Sequence, residues 1–96
     1  MAADGSGDSI DYGLATPAWR QVADILRRRI RSGAIPPGRV IPSETQLEQE
    51  LGLARGTIRK GVALLRDEGW VITSVGRGTF VADPLPDPEL GEHQPG

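Results

Sequence analysis

Three basic side chains at the start of one apolar-periodic segment could hold a polyanion together. Arg55 and Arg59 stand four residues apart and Lys60 follows directly, so on a helix the three form one charged arc. A helix N-terminus adds unpaired amides and partial positive charge. Such an end suits the base edges and phosphates of a major groove. A second feature is Val75-Gly76-Arg77-Gly78, one Arg between two glycines. Glycine lets backbone approach a duplex closely, and an Arg there can enter a minor groove or hold a phosphate. A plain solvated face or turn has the same composition, and it is the combination of the two features that points to nucleic acid.

The residues for other chemistries are missing. The chain has no Cys and one His, His93, so a disulfide framework, a thiolate metal site and a cysteine nucleophile are excluded. No nucleophile has a base placed beside it by a helix or turn, and no Asp/Glu cluster has the loop spacing of a calcium site. We expect no catalysis, no metal and no cofactor. No run of about 18 apolar residues is present and no secretory signal is visible, so we expect a cytoplasmic protein away from membranes.

Charge is sorted along the 96 residues. The formal net charge is −2, yet all eleven Lys+Arg lie between Arg20 and Arg77. Residues 16–83 hold eleven bases against seven acids, a net +4, and the other six acids sit at the two ends. A basic module with acidic ends suits a polyanion partner better than the overall balance does.

The elements that must position these groups follow from periodicity. Residues 1–15 are rich in Gly, Ser, Asp and Ala and read as a disordered tail. Residues 83–96 read as a Pro-rich acidic tail or linker. Between them, Thr16-Pro17 predicts a helix start with Thr16 as N-cap, and Trp19, Val22, Ala23, Leu26 and Ile30 make one buried stripe. Gly33 ends that helix, and Val40-Ile41, bounded by Pro42, predicts a short strand. Ser43-Glu44-Thr45-Gln46 is a capping box opening a short helix with Leu47 and Leu51 inward, stopped by Gly52. A third helix runs from about Arg55 to Glu68 with Ile58, Val62 and Leu65 inward, and Gly61 stands where a neighbouring backbone can approach. Beyond Gly69 the period becomes that of a hairpin, Trp70–Ser74 and Thr79–Val81. The expected fold is mainly α with a small β-wing, in the order helix, strand, helix, helix, strand, strand.

These residues resemble the winged helix-turn-helix domain of GntR-type bacterial transcription regulators. Ile41–Leu47 is similar to the start of that family's second helix, and Leu51–Arg59 to its turn and recognition helix. Glu68–Val71 and Gly76–Val81 resemble its wing, and Ser32–Gly38 the connection after its first helix. The resemblance covers residues 16–82 in unbroken order. It implies sequence-specific binding of double-stranded DNA as a transcriptional regulator, a repressor, with the third helix in the major groove. It implies contacts from Arg55, Thr57 and Arg59 and from Gly76 and Arg77, with Val75 beside them. Ser43 and Glu44 fall at the start of the second helix, Ser43 as a cap or a phosphate contact. Thr45 stands where many members carry Arg, Ala54 replaces a Ser or Thr cap, and Gly56 and Lys60 replace a reading-face side chain and a Glu; these departures bear on which operator is read.

Members of that family carry a second, ligand-binding domain after the wing, for which Asp83–Gly96 is too short, so we expect no effector pocket within these residues. Trp19, Val22, Leu26 and Ile30, with Leu47, Leu51, Ile58, Val62, Leu65, Trp70 and Phe80, are needed for the domain's own core, which leaves no spare apolar stripe. We therefore expect a monomer or weak dimer in solution and two copies on a palindromic operator. The competing reading is a winged helix used for protein contacts. It is disfavoured by the basic residues on the third helix and wing, and only Val75 at the tip leans towards it.

Overall fold

The structure, a computed structural model, describes residues 8–86. Three helices, α1 (Ala18–Ser32), α2 (Glu44–Leu51) and α3 (Arg55–Asp67), are followed by a hairpin of β1 (Val71–Ser74) and β2 (Gly78–Val81). The arrangement is a winged helix-turn-helix. The strands are antiparallel, pairing Val71 with Val81, Ile72 with Phe80, Thr73 with Thr79 and Ser74 with Gly78.

Each helix ends where the sequence supplies the chemistry to end it. In α2 both halves of the capping box form: Ser43 Oγ accepts from the Gln46 amide at 3.1 Å, and the Ser43 amide donates to Gln46 Oε1 at 2.9 Å. The helix stops at Gly52, whose φ of 70° is left-handed. At the end of α3 the Gly69 amide donates to the Arg66 carbonyl and the Trp70 amide to the Leu65 carbonyl. Those paired bonds satisfy carbonyls that have no partner within the helix and turn the chain into the wing.

Three expectations need correction. The N-cap of α1 is Pro17, with no side-chain cap, and not Thr16. Thr16 instead offers its carbonyl to Gln21 Nε2 at 2.9 Å. Val40-Ile41 forms no strand, only a bridge from Val40 to Phe80. Residues 38–41 do run beside β2, with the Ile41 amide donating to the Thr79 carbonyl at 2.9 Å and the Val81 amide to the Arg39 carbonyl at 2.8 Å. Pro42 has no amide with which to continue that ladder. Finally, residues 8–11 are held against the body where a disordered tail was expected, while residues 12–15 stay exposed. Ile10 rests against the core. Buried Gln21 accepts from the Asp11 amide at 2.8 Å and donates to the Asp11 carbonyl at 3.0 Å. Asp8 meets Arg29 at 2.7 Å, and Arg29 also pairs with Glu50 of α2. One apolar side chain and one buried amide hold a segment whose composition is otherwise polar. At the other end Leu85 packs on the core as well. Residues 1–7 and 87–96, with His93 and the acids Asp4, Asp87, Glu89 and Glu92, lie outside the described residues.

The core lies where α1 crosses α3, centred on Val22, Leu26, Ile30, Ile58 and Leu65, closed below by Leu47 and beside the wing by Val71 and Val81. Of the predicted stripe of α1, Val22, Ala23, Leu26 and Ile30 are buried and Ile25 joins them, whereas Trp19 is only half-buried. Gly61 makes the crossing close: a Cβ there would stand 2.6 Å from the Trp19 carbonyl oxygen and 2.8 Å from Val22. This contact fixes how far α3 stands out from the body, and so which of its faces remains open.

Candidate nucleic-acid interface

The outer face of α3 looks onto a groove of about 820 Å³ between the start of α2, α3 and the wing. Ser43, Glu44, Thr45, Arg55, Arg59 and Arg77 line it, so six of the expected site residues meet at one place. They come from three elements separated in sequence, and the α2–α3 turn and the hairpin bring them together.

The arginines of α3 are oriented from α2. Arg55 Nε donates to Glu48 Oε2 at 2.6 Å and lies 3.7 Å from Glu44. Arg59 Nε donates to Glu44 Oε2 at 2.9 Å. The hydrogen bond to Glu48, and then its charge, raise the Arg55 guanidinium above its ordinary value. Both side chains stay more than half exposed, 52% and 64%. Only Nε is engaged in these bonds, so the terminal nitrogens of each guanidinium keep donors to offer.

The other expected residues lie elsewhere. Lys60 leaves the charged arc: its Nζ sits 4.6 Å from the centroid of the Trp19 ring, over α1. One residue past Arg59 is a further 100° around the helix, enough to exchange the groove for the α1 side, and the aromatic face holds the ammonium there. Gly56 lies exposed in the first turn of α3, with open space where a Cβ would go. Thr57 is half-buried beside it. Val75 and Gly76 form the wing tip, a turn closed by the Arg77 amide donating to the Ser74 carbonyl at 2.9 Å. Gly76 has a φ of 80°, which a side chain would resist at the third position of such a turn. Val75 is 95% exposed.

Two further polar groove residues stand outside the expected contacts, although Arg66 is among the exposed basic residues of the third helix that favour phosphate. Arg66 and Thr73 also line it, and Arg66 Nε donates to Thr73 Oγ1 at 3.1 Å. Arg66 stands eleven residues after Arg55, three full turns, so helical periodicity already put it on the same face. Thr73 carried no such signal, because its place depends on how the wing folds back.

The profile of the family described as "Bacterial regulatory proteins, gntR family" matches residues 18–81. An HTH-type transcriptional regulator of Mycobacterium tuberculosis is 41% identical over 71 residues, 74% of this chain and 26% of that protein. The histidine utilization repressor of Pseudomonas aeruginosa is 38% identical over 71 residues, 74% of this chain and 28% of its own. The chain thus spans little more than a quarter of the length of these curated relatives. Among solved structures, the DNA-binding domain of AraR in complex with operator ORX1 superposes with a TM-score of 0.71 at 35% identity, covering 77% of this chain and 94% of that one. YtrA from Sulfolobus acidocaldarius, a GntR-family transcription factor, gives a TM-score of 0.71 at 33% identity over 76% of this chain and 77% of its own. With the profile spanning α1 through β2 and the same fold in these relatives, the chain belongs to the gntR family of bacterial regulatory proteins.

Proposed function

We propose that this chain binds double-stranded DNA sequence-specifically as the DNA-reading module of a transcriptional repressor. In this reading α3 enters the major groove and the wing lies at the minor groove or backbone. The observation that carries it is the meeting of Arg55, Arg59 and Arg77 around one open groove. Arg55, Gly56, Thr57 and Arg59 form the part of α3 that reaches base edges. Glu44 and Glu48 fix the arginine geometry, and Ser43 and Thr45 present hydroxyls at the groove's edge. Gly76 and Arg77 contact the backbone or minor groove, with Val75 at the tip. Lys60, over Trp19, adds field and not a direct contact. The relatives support the reading, since one is described as a repressor and a structural neighbour is bound to its operator.

The role is binding and not catalysis, and it places the protein with DNA in the cytoplasm. No helix among the described residues is long and apolar enough to cross a membrane. The large apolar residues left exposed among the described residues are Tyr12 and Leu14 in the N-terminal segment and Val40, Ile72 and Val75 at or beside the hairpin, none of them on a helix. This favours a monomer or weak dimer that pairs on a palindromic site. Fluorescence anisotropy with random duplex tests the reading. We expect log K to fall with log salt at a slope of about −2 to −4 per protomer, for two to four groove arginines at phosphates. A slope of zero, or no binding, refutes it. Selection from a random duplex pool then supplies the operator.

A further inference from the structure

The charges around the groove are unevenly balanced. Beside α2, Arg55 and Arg59 face Glu48 and Glu44, two bases against two acids. Beside the wing, Arg66 and Arg77 line the same groove, and among the described residues neither forms an ion pair. Arg66 is held instead by a neutral acceptor, the hydroxyl of Thr73. That hydroxyl lies 3.4 Å from Thr79 Oγ1 on the paired strand. Having accepted from Arg66, it can donate to Thr79, so a short chain of hydrogen bonds fixes the guanidinium without cancelling its charge.

An anionic strand lying in this groove therefore meets its uncompensated positive charge at the wing end. Arg66 comes at it from α3 and Arg77 from the wing. We propose that Arg66, positioned by Thr73, is a further DNA-contacting residue, which grips a backbone phosphate of the strand running between α3 and the wing. The proposal rests on the DNA-binding reading above. It divides the labour of the groove: the charge-balanced arginines, Arg55 and Arg59, are held in fixed geometry to read bases, and the unbalanced pair supplies sequence-independent grip. A merely structural Arg66 would serve the C-terminal dipole of α3, and salt dependence of DNA binding separates the two roles.

The experiment uses the whole chain and two labelled duplexes, one selected from a random pool by the wild-type protein and one unrelated. Dissociation constants are measured across a KCl series, with folding of each variant checked by circular dichroism. Arg66→Ala should flatten the salt slope by about 0.9 and weaken both duplexes about eightfold near 0.1 M salt. Arg66→Gln keeps the aliphatic stem and should show the same loss, which covers an Ala variant that folds poorly. Arg66→Lys should keep the slope. Thr73→Val should weaken both duplexes and Thr73→Ser should restore them. Wild-type binding with an unchanged slope in Arg66→Ala and Arg66→Gln overturns the assignment. So does a loss confined to the selected duplex, because that marks base reading. Thr73→Ser as weak as Thr73→Val overturns the positioning role of the hydroxyl. A wild-type chain that binds neither duplex refutes the DNA-binding reading itself.

Discussion

Replacing Gly61 by alanine sets two effects of known sign against each other. In the interior of a helix Gly→Ala is favourable by about 1 kcal/mol, because alanine loses less backbone entropy. At this position the added Cβ would stand 2.6 Å from the Trp19 carbonyl oxygen and 2.8 Å from Cβ and Cγ1 of Val22. Ordinary contacts begin near 3.4 Å, so α1 and α3 must part by several tenths of an ångström along the whole seam. The nearest obstacle is backbone, which cannot swing aside as a side chain can. Overpacking of this kind costs about 1–3 kcal/mol, and a backbone clash at the centre of the core belongs at the top of that range. The net expectation is a loss of about 2 kcal/mol after the propensity gain. For a domain of this size that lowers Tm by about 8–16 °C. Gly56→Ala in the same helix is the control. It has no atom within 4 Å of the added Cβ, so it should leave Tm unchanged or raise it. Thermal melts followed by circular dichroism, with urea titrations for ΔG, read both variants. A Gly61→Ala protein as stable as wild type would refute the close α1–α3 approach and the placement of α3 that depends on it.

Other outcomes follow from the caps and from the buried amide of α1. Ser43→Ala removes the acceptor for the Gln46 amide and should cost about 1 kcal/mol in urea denaturation. Ala54, the N-cap of α3, has extended backbone and no side-chain cap bond, so Ala54→Ser should add about 1 kcal/mol by the same measurement. Gln21→Leu strips partners from the Asp11 amide and the Thr16 carbonyl. It should cost about 1–3 kcal/mol, and hydrogen exchange at the Asp11 amide should accelerate more than exchange in α3.

Local chemistry made the elements legible. The Ser43 capping box, the glycines after each helix and the change from helical to alternating period are decided by residues within a few positions of one another. Arg55 and Arg59 are legible as one charged face for the same reason, since helical geometry alone sets their direction. Gly61 belongs here too, as a glycine in a helical stripe marks a close neighbour. Contacts across the chain were a different matter. No local rule says that Asp11 meets Gln21, so composition alone predicts a tail for a polar segment. Nor does one say that residues 38–41 lie beside β2 closely enough to bond but too briefly to form a strand. Spacing alone puts Lys60 on the charged arc, because its partner in the fold, the Trp19 ring, stands forty-one positions away in sequence. The same holds for Thr73 and Arg66, which meet only when the hairpin folds back along α3. The sequence by itself determined which elements form and which face of each is apolar, because those depend on spacings of two, three and four residues. The tertiary structure decided which charges are cancelled and which stay open in the groove, because that depends on side chains whose neighbours come from other elements.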